Sequence, residues 1–173
     1  MEHFKKICLI LIILPTLLLS KHLTPLEKGI QSIPRADYVF LCNHGWTIRK
    51  CDAEIEKQYG FAYPIAGLTD YDIKVIYIKE DRVERALLHE VGHALDYELG
   101  FVSETEEFQA LYNIESLRFI DKTAVNDRHE IYNEHEYFAS VYQNIIINRE
   151  QTLKNVPKTV EYILENVGSS TAE

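Results

Sequence analysis

Apolar positions recur along this chain with two periods, and the change between them near residue 80 divides it into two parts. In the first part the apolar residues come in short runs. Asp37-Tyr38-Val39-Phe40-Leu41-Cys42 and Ile73-Lys74-Val75-Ile76-Tyr77-Ile78 are rich in β-branched and aromatic side chains and predict strands, the second more strongly. Asp52 to Tyr59 predicts a short polar helix ending at Gly60, and Tyr63-Pro64-Ile65-Ala66-Gly67 reads as turn. In the second part the spacing is helical. Ala86-Leu87-Leu88, Val91, Ala94 and Leu95 share one face, with Asp81 and Glu84 placed to cap the start and Gly100 to stop the helix. Ser103 with Glu106 predicts a capping box for a helix through about Phe119. Asn133 predicts a cap for one through about Asn148, and Pro157 opens a last helix, Lys158 to Val167, closed by Gly168. Few strands followed by helices predict an α+β domain with a small N-terminal sheet and a mostly helical C-terminal half.

The first twenty residues fit neither part. Lys5 and Lys6 precede Ile7 to Leu19, apolar except for Pro15 and Thr16, which is short for a membrane span and suits a secretory leader. Leu18 and Ser20 make a poor cleavage site, so an uncleaved anchor on the extracellular face is the alternative to secretion. The expected organisation is a leader or anchor over residues 1–20 and a linker with one short helix over 21–36, where Pro25, Gly29 and Pro34 fall. One domain follows over 37–168, with a disordered tail over 169–173.

The chain has 173 residues and a net charge of −9; Lys5 and Lys6 against Glu2 put the part beyond the leader at −10. That charge disfavours nucleic acid and anionic membrane faces as partners and mildly favours cationic peptide segments; a membrane enters only if the leader is retained. Cys42 and Cys51 are the cysteines beyond the leader, and export would permit but not require their pairing.

Chemistry is concentrated in His89-Glu90-Val91-Gly92-His93. Four residues apart on a helix, the two imidazoles point the same way and can share one Zn²⁺, with Glu90 beside the zinc-bound water as general base. Two buried histidines merely satisfied by hydrogen bonds would leave Glu90 ionised in an apolar helix face without a cation, which costs several kcal/mol. A catalytic zinc site takes a third protein ligand. Asp96 and Leu99 stand where a metzincin needs glycine and histidine, which excludes that class. Glu134, His135 and Glu136 remain as candidates in one turn. Asp96, on nearly the same face as His89, is a candidate to orient a ligand imidazole, and the strand at 73–78 a candidate edge for pairing an extended peptide.

Three segments in order carry a family resemblance: His89-Glu90-Val91-Gly92-His93-Ala94-Leu95-Asp96, Asn133-Glu134-His135-Glu136-Tyr137-Phe138-Ala139, and Asn155-Val156-Pro157-Lys158-Thr159. Together they resemble the catalytic domain of anthrax lethal factor and the secreted Pro-Pro endopeptidases, over about residues 64 to 167. The resemblance implies a single zincin-like metallopeptidase domain and makes Glu136 the third ligand beside His89 and His93. It also implies a tyrosine seven residues before that glutamate as oxyanion donor. That position holds His129, with Tyr132 three residues on; either can donate a hydrogen bond.

The expected protein is an exported, monomeric zinc metalloendopeptidase. It holds one zinc per chain on His89, His93 and Glu136, with Glu90 and His129 or Tyr132 catalytic and a peptide or protein as substrate. The alternative is a catalytically weak, toxin-like zinc-holding domain that binds a protein partner.

Overall fold

The computed structural model describes residues 23–61, 65–119 and 131–168. Two helices open it, α1 (Pro25–Ile30) and α2 (Arg35–Asn43), followed by strand β1 (Thr47–Lys50) and helix α3 (Ala53–Tyr59). Strands β2 (Gly67–Asp70) and β3 (Val75–Ile78) lead through a 3-10 turn, Glu80–Arg82, into the long helix α4 (Val83–Glu98). Helices α5 (Glu106–Phe119), α6 (Glu134–Ile147), α7 (Arg149–Asn155) and α8 (Pro157–Val167) complete it.

The sheet has three strands in the order β1-β3-β2, parallel between β1 and β3 and antiparallel between β2 and β3. All four residues of β3, Val75 to Ile78, are buried, as the unbroken apolar run requires of a central strand. Both its edges are therefore taken, and the edge expected at 73–78 lies instead on β2, a strand the turn-like composition around Gly67 concealed. The main core lies between the sheet and the helices, with Val91, Ala94 and Leu95 of α4 against Phe138, Val141 and Tyr142 of α6 at its centre, and a second, smaller cluster gathers Cys51, Val75 and Tyr77 with Ile55 and Tyr59 of α3. This is an α+β domain with the small sheet early and the helices late, as the change of period predicts.

Several local expectations change. Residues 37–42 are helical: Asp37 and Leu41, one turn apart, face inward together, and Asp37 accepts the Tyr142 hydroxyl at 2.7 Å. That long-range burial outweighs the β-propensity of the run. The short helix expected ahead of residue 37 is α1, which packs on α4 so closely that a Cβ on Gly29 would stand 2.1 Å from Val83 Cγ1. Asp81 lies in the 3-10 turn and does not cap α4, whose N-cap Arg82 makes no side-chain cap bond. Thr105 accepts the Phe108 amide at the start of α5, in place of Ser103. The Asn133 cap and the helix start at Pro157 stand as expected; Asp52, read as the first helical residue, is instead the N-cap of α3, and Gly60 closes that helix in the left-handed region. Cys42 is exposed and Cys51 buried, both free thiols. Among the described residues no helix is long and apolar enough to cross a membrane; the apolar run at 7–19 lies outside them.

Candidate metal centre

Helix α4 presents His89 and His93 one turn apart, and α6 packs antiparallel against it with Glu136 in its first turn. The Nε2 atoms of the two histidines are 3.1 Å apart. Glu136 closes the group, its Oε2 3.1 Å from His89 Nε2 and its Oε1 3.6 Å from His93 Nε2. Burial works against ionisation of Glu136, but the bonds to His89 and His93 outweigh it and hold its carboxyl well below the usual carboxylate range.

The donor chemistry fits a metal. Ser140 Oγ, four residues after Glu136 on the same face, is 3.3 Å from His89 Nδ1. With the His89 proton placed instead on Nδ1 and directed there, its Nε2 lone pair faces the Glu136 carboxylate, and a cation between the two takes the place of the Nε2–H bond. Two imidazole nitrogens and a carboxylate oxygen are the donor set of a hydrolytic zinc site. Among the described residues this is the group of histidine, cysteine and acidic side chains placed to hold a metal ion.

Glu90 is buried beside this group. Thr69 Oγ1, on β2, lies 2.7 Å from Glu90 Oε2 and 3.0 Å from the Glu90 carbonyl, so the strand and the base are tied together. Gly67 makes that approach possible, since a Cβ there would stand 2.7 Å from Glu90 Cγ. Gly67, Leu68 and Thr69 line a cleft of about 890 Å³ together with His89, Glu90, His93 and Glu136. Among the described residues no strand pairs with the outer edge of β2, and that edge borders the metal group.

Asp96 does not touch a ligand imidazole. It is fully buried and takes Ser103 through both its backbone N–H (2.9 Å) and its hydroxyl, and lies 3.0 Å from His135 Nδ1. His135 is thereby turned out of the metal group, with its Nε2 3.3 Å from Glu104 Oε1. Glu134 is not part of the group either. Tyr132 is 78% exposed and does not line the cleft. His129 lies outside the described residues.

Sequence reasoning did not single out Thr69, Tyr71, Phe101 or Ser140, and it read Ser103 as a helix cap rather than as the partner of Asp96. Ser140 had a signal, its i+4 spacing from Glu136. The others reach the site only through tertiary contacts.

Residues 70–166 match the family described as anthrax toxin lethal factor, N- and C-terminal domain. Among solved structures the chain resembles the Pro-Pro endopeptidase (PPEP-2) from Paenibacillus alvei, with a TM-score of 0.62 and 19% identity over 81% of this chain and 88% of that one. At that identity the likeness speaks to the fold. Among curated protein sequences none matches.

Proposed function

The chain belongs to the anthrax toxin lethal factor family, and from that premise we propose that it is an exported zinc metalloendopeptidase acting on peptide or protein substrates. The carrying observation is the convergence of His89, His93 and Glu136 in one cleft with Glu90 on the same helix and a free strand edge alongside. Zinc bound there supplies Lewis acidity, lowering the pKa of a water and polarising a scissile carbonyl. Glu90, anchored by Thr69, takes the proton of the attacking water and passes it to the leaving amine as the C–O bond forms and the C–N bond breaks. An extended peptide adds to the outer edge of β2, whose backbone N–H and C=O groups hold it across the metal group. The basic, then apolar, N-terminal run supports export.

Metal analysis and peptide-library cleavage by wild type and Glu90→Gln test this reading. The expectation is near-stoichiometric zinc in both proteins and cleavage by wild type alone. Equal cleavage by the two, or no zinc, refutes it; zinc in both with cleavage by neither turns the reading to a zinc-holding partner-binding domain. Intact mass of the exported protein tests loss of the leader.

A further inference from the structure

Peptide hydrolysis gathers negative charge on the scissile carbonyl oxygen, and an enzyme answers it with a preorganised hydrogen-bond donor. Most side-chain donors lining the cleft are already engaged. The Thr69 hydroxyl sits on Glu90, Gln143 Nε2 donates to the Arg85 carbonyl at 2.7 Å, and His135 lies between Asp96 and Glu104. Asn133 accepts the Glu136 amide through Oδ1, which fixes that side chain as the cap of α6 and leaves its Nδ2 uncommitted. Arg85 is exposed one turn before His89, where the cleft opens into an adjoining cavity. Among the described residues the Tyr71 hydroxyl is left as the neutral side-chain O–H in the cleft with no protein partner.

Tyr71 directly follows β2 and lines the same cleft as the metal group and Glu90. Its ring is clamped, stacked on Tyr97 with centroids 5.0 Å apart and planes 15° apart, and met by Trp46 at 6.4 Å and Phe101 at 5.8 Å in edge contacts. Phe101 reaches it from a left-handed backbone conformation (φ 56°) that a side chain other than glycine rarely adopts. So much aromatic packing around a half-buried tyrosine fixes the ring yet leaves its hydroxyl unused. Burial, with the carboxylates of Asp96, Glu90 and Glu136 near, pushes the phenol well above its ordinary 10.0, so it stays a neutral donor through any working pH.

We propose that Tyr71 is a catalytic residue whose hydroxyl donates to the carbonyl oxygen of the scissile bond as that oxygen gains charge. The assignment rests on the metallopeptidase reading above. It gives the β2 segment three roles: its edge holds the peptide, Thr69 anchors the base, and Tyr71, directly after its end, receives the developing charge.

The test is Tyr71→Phe, which keeps the ring and its packing, compared with wild type, Glu90→Gln and His129→Ala on the best peptide from the library. The expected result is a kcat lower by about 100-fold with KM within about threefold, and zinc content and Tm unchanged. Affinity for a phosphinic peptide of the same sequence, measured by calorimetry, is expected to fall in proportion to kcat/KM, which a purely structural role would not produce. Unchanged kcat in Tyr71→Phe while Glu90→Gln is inactive overturns the assignment and leaves the metallopeptidase reading standing. So does a loss confined to His129→Ala. Full cleavage by Glu90→Gln, or none by wild type, overturns both.

Discussion

Gly92 of α4 rests on Ala139 of α6, and a Cβ at position 92 would stand 2.8 Å from the Ala139 Cα and 3.2 Å from its carbonyl oxygen. Both partners are helix backbone, so neither yields as a flexible side chain would. This contact lets the helix that carries His89 and His93 approach the one that carries Glu136. Gly92→Ala gains about 1 kcal/mol of helix propensity but incurs an overpacking cost of about 1–3 kcal/mol. The expected net result is a lower Tm and weaker zinc binding, read by calorimetry and chelator competition. Unchanged values for both would mean that the helices part without displacing Glu136.

Glu136 and Ser140 occupy one face of α6, and their losses are expected to differ in size. Ser140→Ala removes the partner of His89 Nδ1 and should weaken zinc binding by about 10- to 100-fold. Glu136→Ala removes a donor atom and should weaken it more. Titration of both variants with a zinc chelator makes the comparison, and an unchanged affinity in Glu136→Ala would move the third ligand elsewhere.

Asp96 is a carboxylate with 1% of its surface exposed, held by two donors from Ser103 and by His135. It joins the end of α4 to the start of α6. Asp96→Ala leaves those buried groups unsatisfied and is expected to cost about 2–4 kcal/mol, visible in urea unfolding. A cost below about 1 kcal/mol would show that water replaces the carboxylate.

The Tyr59 hydroxyl donates to Asp70 Oδ2, clipping α3 to the end of β2. The bond pushes Tyr59 up from 10.0 to about 12 and holds Asp70 below its ordinary value. For Tyr59 the folded pKa is the higher one, so this stabilisation is complete below about pH 10 and lost as pH rises through about 12. For Asp70 the folded pKa is the lower one, so the contribution is present above the ordinary carboxylate range and lost as pH falls through the folded value. Tyr59→Phe should therefore lower Tm at neutral pH, with the gap to wild type narrowing at both extremes. A constant gap across a pH series of thermal melts would contradict this.

Rules that act within a turn of helix were legible in the chain. The i, i+4 histidines, the Asn133 cap and the Pro157 start needed only local spacing, and each stands where that spacing places it. The run at 37–42 was misread because β-propensity is a local prior, and Asp37 is committed by a partner 105 positions away. Strand β2 was missed because a glycine in a turn-like stretch conceals the close approach to Glu90 that requires it.

The sequence by itself determined the helix that carries His89, Glu90 and His93 and with it the proposed reaction class, since ligand spacing, caps and apolar stripes are properties of neighbours along the chain. Only the tertiary structure decided which carboxylate faces the histidines, that Asp96 serves Ser103 and His135, and that Thr69 and Tyr71 stand at the cleft. Glu136 meets His89 across 47 positions and Thr69 meets Glu90 across 21. Contacts at such separations are set by how helices and sheet pack, and no local period encodes them.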